Sequence, residues 1–558
     1  MRLVTGAALC GAAPTTSKSW CSFPRRDVNK SAGLPTSKFD QPTASPVREH
    51  VVDANTCIYP SLYQINTRAG LRDLSLSLGR EATLDDIPDQ ELDRVAERGL
   101  DWIWYLGVWQ TGPAARRVSR EHQEWQAEFR QVLPDFQEED ISGSCFAVTG
   151  YTVHSDFGGN PALERLRKRI YQRGMRLMLD FVPNHTAPDH PWVQEHPEFY
   201  VRGTEEKLRQ EPQNYVRVQT SRGPMVLAYG RDPYFSGWPD TLQLNYAEPA
   251  VQEAMLRELL NVAALCDGVR CDMAMLILPE VFERTWGLRP EPFWPNAIRS
   301  VRSDYPGFLF MAEVYWDLEW TLQQQDFDYT YDKRLYDRLR AGHARPVREH
   351  FRADLEFQRK STRFLENHDE PRAAAVFPPV IHRPAAVLTY LCPGLRFFHD
   401  GQFEGRTRKL SVHLGRRPKE PVESSVRDFY DLLLDCVHQP VARHGQWRLL
   451  DCSPAWDGNW SWDCFICFAW QAIGEPPLLV AVNYAGNESQ CYVQFPLDEF
   501  RGRSVRIQDL LNPIVFERDR EELLSRGLYL DVGPWGYHVF QLTTSHPAAS
   551  GEAGVRTA

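Results

Sequence analysis

Arg176–Val182 reads RLMLDFV and continues through PNH to His185; Leu265–Met273 reads LCDGVRCDM; Gly307–Trp316 reads GFLFMAEVYW; Phe364–Glu370 reads FLENHDE. Each is an apolar run of strand length whose last residues turn acidic or carry an imidazole. A short apolar run bounded by polar residues fits a strand buried on both faces, as in a parallel sheet. In an α/β barrel the active site is assembled from polar groups at the C-terminal ends of such strands. Three carboxylates arrive this way, those of Asp272, Glu313 and Asp369, in the company of Asp180, His185 and His368. The fold expected from them is α/β, a (β/α)8 TIM barrel.

Outward from these segments the alternation continues. CIYPSLYQINT (Cys57–Thr67) is strand-like. DDIPDQELDRVAERG places Leu92 and Val95 at helical spacing and stops at Gly99, a residue suited to a left-handed C-cap. LDWIWYLGVW then gives a second apolar strand, and strand–helix–strand order implies parallel pairing. The helix NPALERLRKRIYQRG precedes RLMLDFV, and FDYTYDK, RFLENHDE and LRFFHDGQ supply the sixth to eighth strands.

Two stretches break the pattern. The polar segment from Gln110 to about Ser144, with its amphipathic REHQEWQAEFRQVL, is expected to form an enlarged loop or lid over the strand ends. Residues 186–240, aromatic and proline-rich, are expected to form a small inserted subdomain after the third strand. From about Trp447 the helices stop and alternating strands take over, which predicts a C-terminal antiparallel β-sandwich. The expected domains are a catalytic barrel over 51–445 with the insert 186–240, and a β domain over 446–545. Residues 1–50 read as a disordered tail or a targeting peptide, and 546–558 as a tail.

With 558 residues and 42% hydrophobic content, the chain can bury a large core. A net charge of −11 argues against a nucleic-acid partner, which would want a basic face. No apolar stretch approaches the ~18 residues needed to cross a bilayer. Twelve cysteines form no framework, and Cys271, Cys266 and Cys491 sit inside predicted strands as small hydrophobes. Cys464 and Cys467 make a C-x-x-C, but no second pair stands at metal-site spacing. Reduced thiols point to a cytoplasmic protein; the Ser-rich, Arg-bearing and acid-poor start of residues 1–50 keeps organelle targeting as the alternative. Aromatic residues make up 12% and include 17 Trp, a surplus open to two readings: core packing, or walls against the apolar C–H faces of sugar rings.

Carboxylates delivered to one barrel mouth suit glycoside chemistry. A double displacement needs a nucleophile, an acid that later acts as a base, and help for an oxocarbenium-like transition state. Asp272 follows Arg270 by two residues on one strand, so both side chains share a face and the guanidinium can hold the carboxylate ionised. Glu313 lies between Met311, Ala312 and Val314, surroundings that raise a carboxyl pKa and suit an acid. Asp369, His368, His185 and Asp180 would grip sugar hydroxyls and developing charge.

The four segments together resemble the signature regions of the α-amylase family of glycoside hydrolases: DFVPNH the first, GVRCD the second, AEVYW the third and NHD the fourth. The resemblance implies the (β/α)8 barrel, the insert after strand three and the C-terminal β domain. It implies Asp272 as nucleophile, Glu313 as acid/base and Asp369 as transition-state stabiliser. His185, Arg270 and His368 would bind the sugar under attack, and Tyr151, in Gly150–Tyr151, would stack on it. Asp180 and Asn184 match structural positions of the first region. The implied activity is α-retaining hydrolysis of α-glucosidic bonds in short oligosaccharides or α-glucans, through a glycosyl-enzyme. Transfer or isomerisation on the same barrel is the alternative, and a non-catalytic partner of this type would have lost carboxylates that the chain keeps. Where many starch amylases follow the second region with lysine and histidine, this chain has Ala274, Met275 and Leu276, which turns the expectation toward short α-glucosides or glucosyl and maltosyl transfer. No cofactor is required by this chemistry. A calcium ion belongs to many members, but Asn184 alone does not supply the six or more oxygens it takes, and the metal is left unknown.

Overall fold

The computed structural model describes residues 57–495 and 504–544; the tails read over 1–50 and 546–558 lie outside the described residues. Eight parallel strands close into a barrel. In chain order they are Ser61–Asn66, Trp102–Leu106, Arg176–Phe181, Gly268–Cys271, Leu309–Ala312, Tyr329–Tyr331, Ser361–Arg363 and Leu395–His399. Neighbours in sequence are neighbours in the sheet, and the eighth strand closes on the first.

Side-chain alternation decides what faces the barrel axis. In the third strand Leu177 and Leu179 pack outward into one core, while Met178 joins a second core with Trp104, Met311 and Phe397. A strand repeats every two residues, so the residue two past Met178 and the residue two past Met311 follow them inward. Those residues are Asp180 and Glu313. The outer layer obeys helical spacing. The helix Gly159–Tyr171 buries Ala162, Leu163, Leu166 and Ile170, an apolar stripe laid on the sheet. The chain then turns at Gly174, whose φ of 77° costs a residue without Cβ little.

The stretch expected as an enlarged loop is helical. Pro113–Glu121 and Gln123–Val132 form two helices, Pro113 starting the first at the position where its missing N–H costs nothing. Phe129, Leu133 and Ile141 close a small core with Leu414 from the segment after the eighth strand, and Arg416 binds Asp140 at 2.7 Å. Strand His185–Thr186 pairs antiparallel with Leu242–Gln243 and so staples the base of the insert, whose body is the hairpin Tyr215–Thr220/Gly223–Ala228.

In the C-terminal region six strands form one antiparallel sheet and three a second. A core of Cys467, Ala469, Leu479 and Phe540 from the larger with Cys491, Val493 and Leu530 from the smaller lies between them, as in a sandwich. Strands Cys452–Ser453 and Val515–Asp519, the one two residues long and the other exposed, carry little alternation; Leu528–Val532 alternates buried and exposed residues and completes the smaller sheet. The sandwich is tied to the barrel by polar contacts from buried aromatics: Trp470 Nε1 donates to Leu391 O at 2.7 Å and the Tyr484 hydroxyl to Leu339 O at 2.7 Å. Among the described residues no helix is long and apolar enough to cross a membrane.

Candidate active site

Asp272 directly follows the fourth strand and Glu313 the fifth. Cys271 pairs with Ala312 across these strands, and Glu313 N donates to Cys271 O at 3.0 Å, so the two acids stand side by side. Arg270 joins them. Its Nη1 donates to Asp272 Oδ1 at 2.7 Å and its Nη2 to Glu313 Oε2 at 2.6 Å. Asp180 Oδ1 lies 3.9 Å from Nη1, and Asp369 Oδ2 4.0 Å from Nη2. The buried guanidinium lies over two rings, 5.6 Å from the Trp104 centroid and 4.9 Å from that of Phe146, and a cation gains from each.

Glu313 is the most closely held of the carboxylates. Its Oε2 also accepts from Met273 N at 2.8 Å and its Oε1 from the Tyr315 hydroxyl at 2.9 Å. The donor residue Met273 has φ 43°, a left-handed backbone that a non-glycine side chain adopts at some cost. Burial, against the pull of Arg270 and with the push of Asp272 and Asp369, raises the Glu313 pKa to about 7. Asp369 goes the other way. Burial would raise it, but the imidazole of His368, with Arg270 and Lys409 beyond, holds it below the usual carboxylate range. One acid is thereby kept protonated near neutral pH while another is kept charged.

The remaining expected residues fall around this centre. His368 Nε2 stands 3.0 Å from Asp369 Oδ2. Burial lowers the His185 pKa, and its ring stands edge-on to Trp238 of the insert at 5.4 Å. Asp180 works from below as a strut: Oδ2 accepts from Gly107 N at 2.7 Å, Oδ1 from Trp104 Nε1 at 3.2 Å, and its carbonyl from Trp109 Nε1 at 2.7 Å. Burial lifts its pKa to about 6. The Tyr151 hydroxyl is locked to Val182, donating to its carbonyl at 3.0 Å and accepting from its N–H at 2.9 Å. Its ring lies 5.5 Å from both Trp109 and Phe181.

Asn184 exchanges hydrogen bonds with the Gln243 carboxamide, at 3.1 and 2.9 Å. That pair pins the first motif to the insert. Among the described residues no group of three or more His, Cys, Asp or Glu side chains is placed to hold a metal ion, and the Asn184 oxygen accepts from Gln243.

Several neighbours carried no sequence signal: Gln64, Trp104, Phe146 and Tyr331 come from separate strands or loops and meet Arg270 or His368 only in three dimensions. Ala274 and Met275, in place of a lysine and histidine, are wholly buried. Beside Met273 and Tyr315 lies a cavity of about 660 Å³, also bordered by Phe235, Trp316 and Arg338.

Residues 146–420 match the family described as "Alpha amylase, catalytic domain". Among curated proteins the chain is similar to alpha-amylase MalA of Haloarcula japonica, 25% identical over 377 residues that cover 66% of this chain and 47% of that protein. It is 30% identical to the trehalose synthase/amylase TreS of Mycolicibacterium smegmatis over 202 residues, 33% of either chain. With the probable oligo-1,6-glucosidase 2 of Bacillus subtilis it shares 22% identity over 407 residues, covering 63% of this chain and 64% of the relative. The chain thus spans about half or less of the length of MalA and TreS. In fold it resembles the maltogenic alpha-amylase AmyB of Thermotoga neapolitana, with TM-score 0.60, 18% identity and coverage of 87% of this chain and 99% of that one. An alpha-amylase of Lactobacillus plantarum gives TM-score 0.59, 19% identity and the same coverage.

Proposed function

Because the chain belongs to the α-amylase family through residues 146–420, we propose that it cleaves α-glucosidic bonds with retention of configuration. The observation that carries this reading is the bridge made by Arg270, which binds Asp272 and Glu313 through neighbouring nitrogens at 2.7 and 2.6 Å. Adjacent strands lie ~4.8 Å apart, and a retaining pair of carboxyls needs about 5–5.5 Å, whereas an inverting pair stands wider to admit a water. In the first displacement an Asp272 oxygen attacks the anomeric carbon while Glu313 passes its proton to the departing glycosidic oxygen. Asp369, held anionic, faces the positive charge that builds on the ring. In the second, Glu313 as carboxylate takes a proton from the incoming hydroxyl, which displaces Asp272 and restores the α configuration.

The incoming hydroxyl decides between hydrolysis and transfer. The cavity of about 660 Å³ beside Tyr315 and Trp316 is large enough to hold an acceptor sugar, and the named activities of the relatives include trehalose synthase and oligo-1,6-glucosidase. Short α-linked glucose oligosaccharides are therefore the proposed donors, with transfer as the second reading. Incubation with maltose, isomaltose, trehalose and maltoheptaose, followed by proton NMR from the first seconds, tests both. An α anomer must appear before mutarotation scrambles it; a β anomer appearing first overturns the mechanism. Products longer than the donor, accumulating with substrate concentration, mark transfer.

A further inference from the structure

Three thiols meet where the two sheets of the sandwich join. Leu450, the last residue of strand Gln446–Leu450, stands opposite Cys467 in the larger sheet. After Asp451 the chain has changed sheets, and Cys452 pairs with Val493 of the smaller one. Cys491 lies two residues before Val493 on its strand and so shares its face. Cys467 and Cys491 are wholly buried in the core between the sheets, while Cys452 packs against that core and keeps part of its surface exposed. The Cys452 sulfur is within hydrogen-bonding reach of both buried thiols, and all three are free cysteines. The C-x-x-C of the sequence is thereby split, because Cys464 turns instead to Asn487 Oδ1 at 3.9 Å.

These sulfurs are not chemically equal. Hydrogen bonds from Cys467 and then Cys491 hold the Cys452 thiol well below its ordinary pKa, with help from the Arg348 charge and against burial and Asp451. The same contact with Cys452, together with burial, pushes Cys467 and Cys491 up. Arg348 is itself fixed in place, donating to Asp463 O at 2.9 Å and to Phe465 O at 3.0 Å. The thiolate is the nucleophilic form of cysteine, and donors or a cation beside it favour that form. Buried cysteines ordinarily serve as small hydrophobes. Three in contact at one sheet corner, with the most acidic of them open to solvent, can do more. An attacking sulfur is set beside thiols that can resolve its oxidation.

We propose that Cys452 is a redox site, at which hydrogen peroxide drives formation of a Cys452–Cys467 disulfide and Cys491 is the reserve partner. The Cys452 sulfur attacks one peroxide oxygen, the O–O bond breaks, and the departing hydroxide takes up a proton to become water. Cys452 is then a sulfenic acid. The Cys467 sulfur attacks it, and the displaced hydroxyl leaves as water with the Cys467 proton. Two thiols have given up two electrons, and one peroxide has become two waters. Register favours Cys467 over Cys491. Cys491 is the diagonal neighbour of Cys452 in one antiparallel pair, where Cα atoms stand ~7–8 Å apart, beyond the ~4.4–6.8 Å that most disulfides span. The bond to Cys467 would instead join the two sheets across their shared corner.

Titrating the reduced full chain with hydrogen peroxide, then alkylating and mapping peptides by mass, tests the proposal. Two alkylatable thiols and two hydrogens should be lost together, and the cross-linked peptide should join Cys452 to Cys467. A brief pulse of iodoacetamide at neutral pH should label Cys452 at least roughly tenfold faster than Cys464, which is also partly exposed. Cys452→Ala should abolish the cross-link, and Cys467→Ala should move it to Cys491. In the parent, no cross-link at a roughly tenfold excess of peroxide overturns the proposal, as does a link between any other pair. Labelling of Cys452 no faster than that of Cys464 overturns it too. If Cys467→Ala stops at the sulfenic acid, the reserve role of Cys491 is refuted. The decisive mapping is made on the parent chain, so it stands even if a core variant fails to fold.

Discussion

The Gln64 side-chain nitrogen lies 2.9 Å from Nδ1 of His368, and because a carboxamide nitrogen only donates, it fixes which ring nitrogen carries the proton. Nε2 is left as the N–H side, 3.0 Å from Asp369 Oδ2. A glutamine from the first strand thus reaches the seventh-strand loop through one imidazole. Both residues are buried, which keeps their contact from bulk water, whereas the Asp369 side chain is 41% exposed.

Gln64→Leu should free the ring to adopt either tautomer and leave Nδ1 without a partner. The expected cost is about 1–3 kcal/mol of stability, with a fall in kcat/KM of roughly tenfold or more as Asp369 loses its oriented neighbour. Urea midpoints and kinetics on one substrate check it. Kinetics equal to the parent would show that His368 holds its place without Gln64.

Asp272→Asn removes the nucleophilic oxygen while keeping the shape and the contact with Arg270. Turnover should fall at least roughly a thousandfold, with the thermal transition shifted by only a few degrees. Retention of a tenth of the parent rate would place the nucleophile elsewhere.

Glu313 titrates at about 7, and the proton-donating form exists below that value. For a substrate with a poor leaving group, kcat/KM should therefore hold below about pH 7 and fall tenfold per unit above it. An α-glucosyl fluoride, which departs with little protonation, should show no such limb, and Glu313→Ala should retain its glycosylation step. The same shift bears on folding. Glu313 and Asp180, raised to about 7 and about 6, bind protons more tightly in the folded chain. The stability they add is complete below the ordinary carboxylate range and is lost as pH climbs through those values.

Arg270→Met would leave two buried carboxylates facing one another without a cation. A loss of about 3–5 kcal/mol is expected from urea denaturation at pH 8, smaller at pH 5, where Glu313 is protonated and the repulsion is relieved. Arg270→Lys should recover part of the stability but little activity, since an ammonium cannot serve two acids from parallel nitrogens. Equal losses at the two pH values would mean that Arg270 acts by packing between Trp104 and Phe146 and not by charge.

Much of this was legible in the chain because strand periodicity is short. The two-residue step from Arg270 to Asp272 put both on one face, and the structure shows them in contact at 2.7 Å. Apolar runs ending in acids gave the barrel and its catalytic end. What escaped is non-local: a glutamine in YQIN looks like any polar residue in a strand until His368 arrives 304 residues later. The helix Pro113–Glu121 was hidden by polarity, and although the amphipathic pattern over Gln123–Val132 was visible, the small core it faces is completed only by Leu414. Exposed or two-residue strands in the sandwich carry too little alternation to register.

Four acids, Asp180, Asp272, Glu313 and Asp369, gather around the Arg270 guanidinium, with Lys409 reaching the Asp369 carbonyl, so the cleft is short of positive charge. A molecule of sugar shape bearing a protonated ring nitrogen would supply the missing charge permanently, where the substrate supplies it only for the lifetime of its transition state. Cyclic amines of glucose configuration are thus the natural inhibitors to try first, and their grip should tighten as pH rises through about 7 and Glu313 gives up its proton, until the amine loses its own.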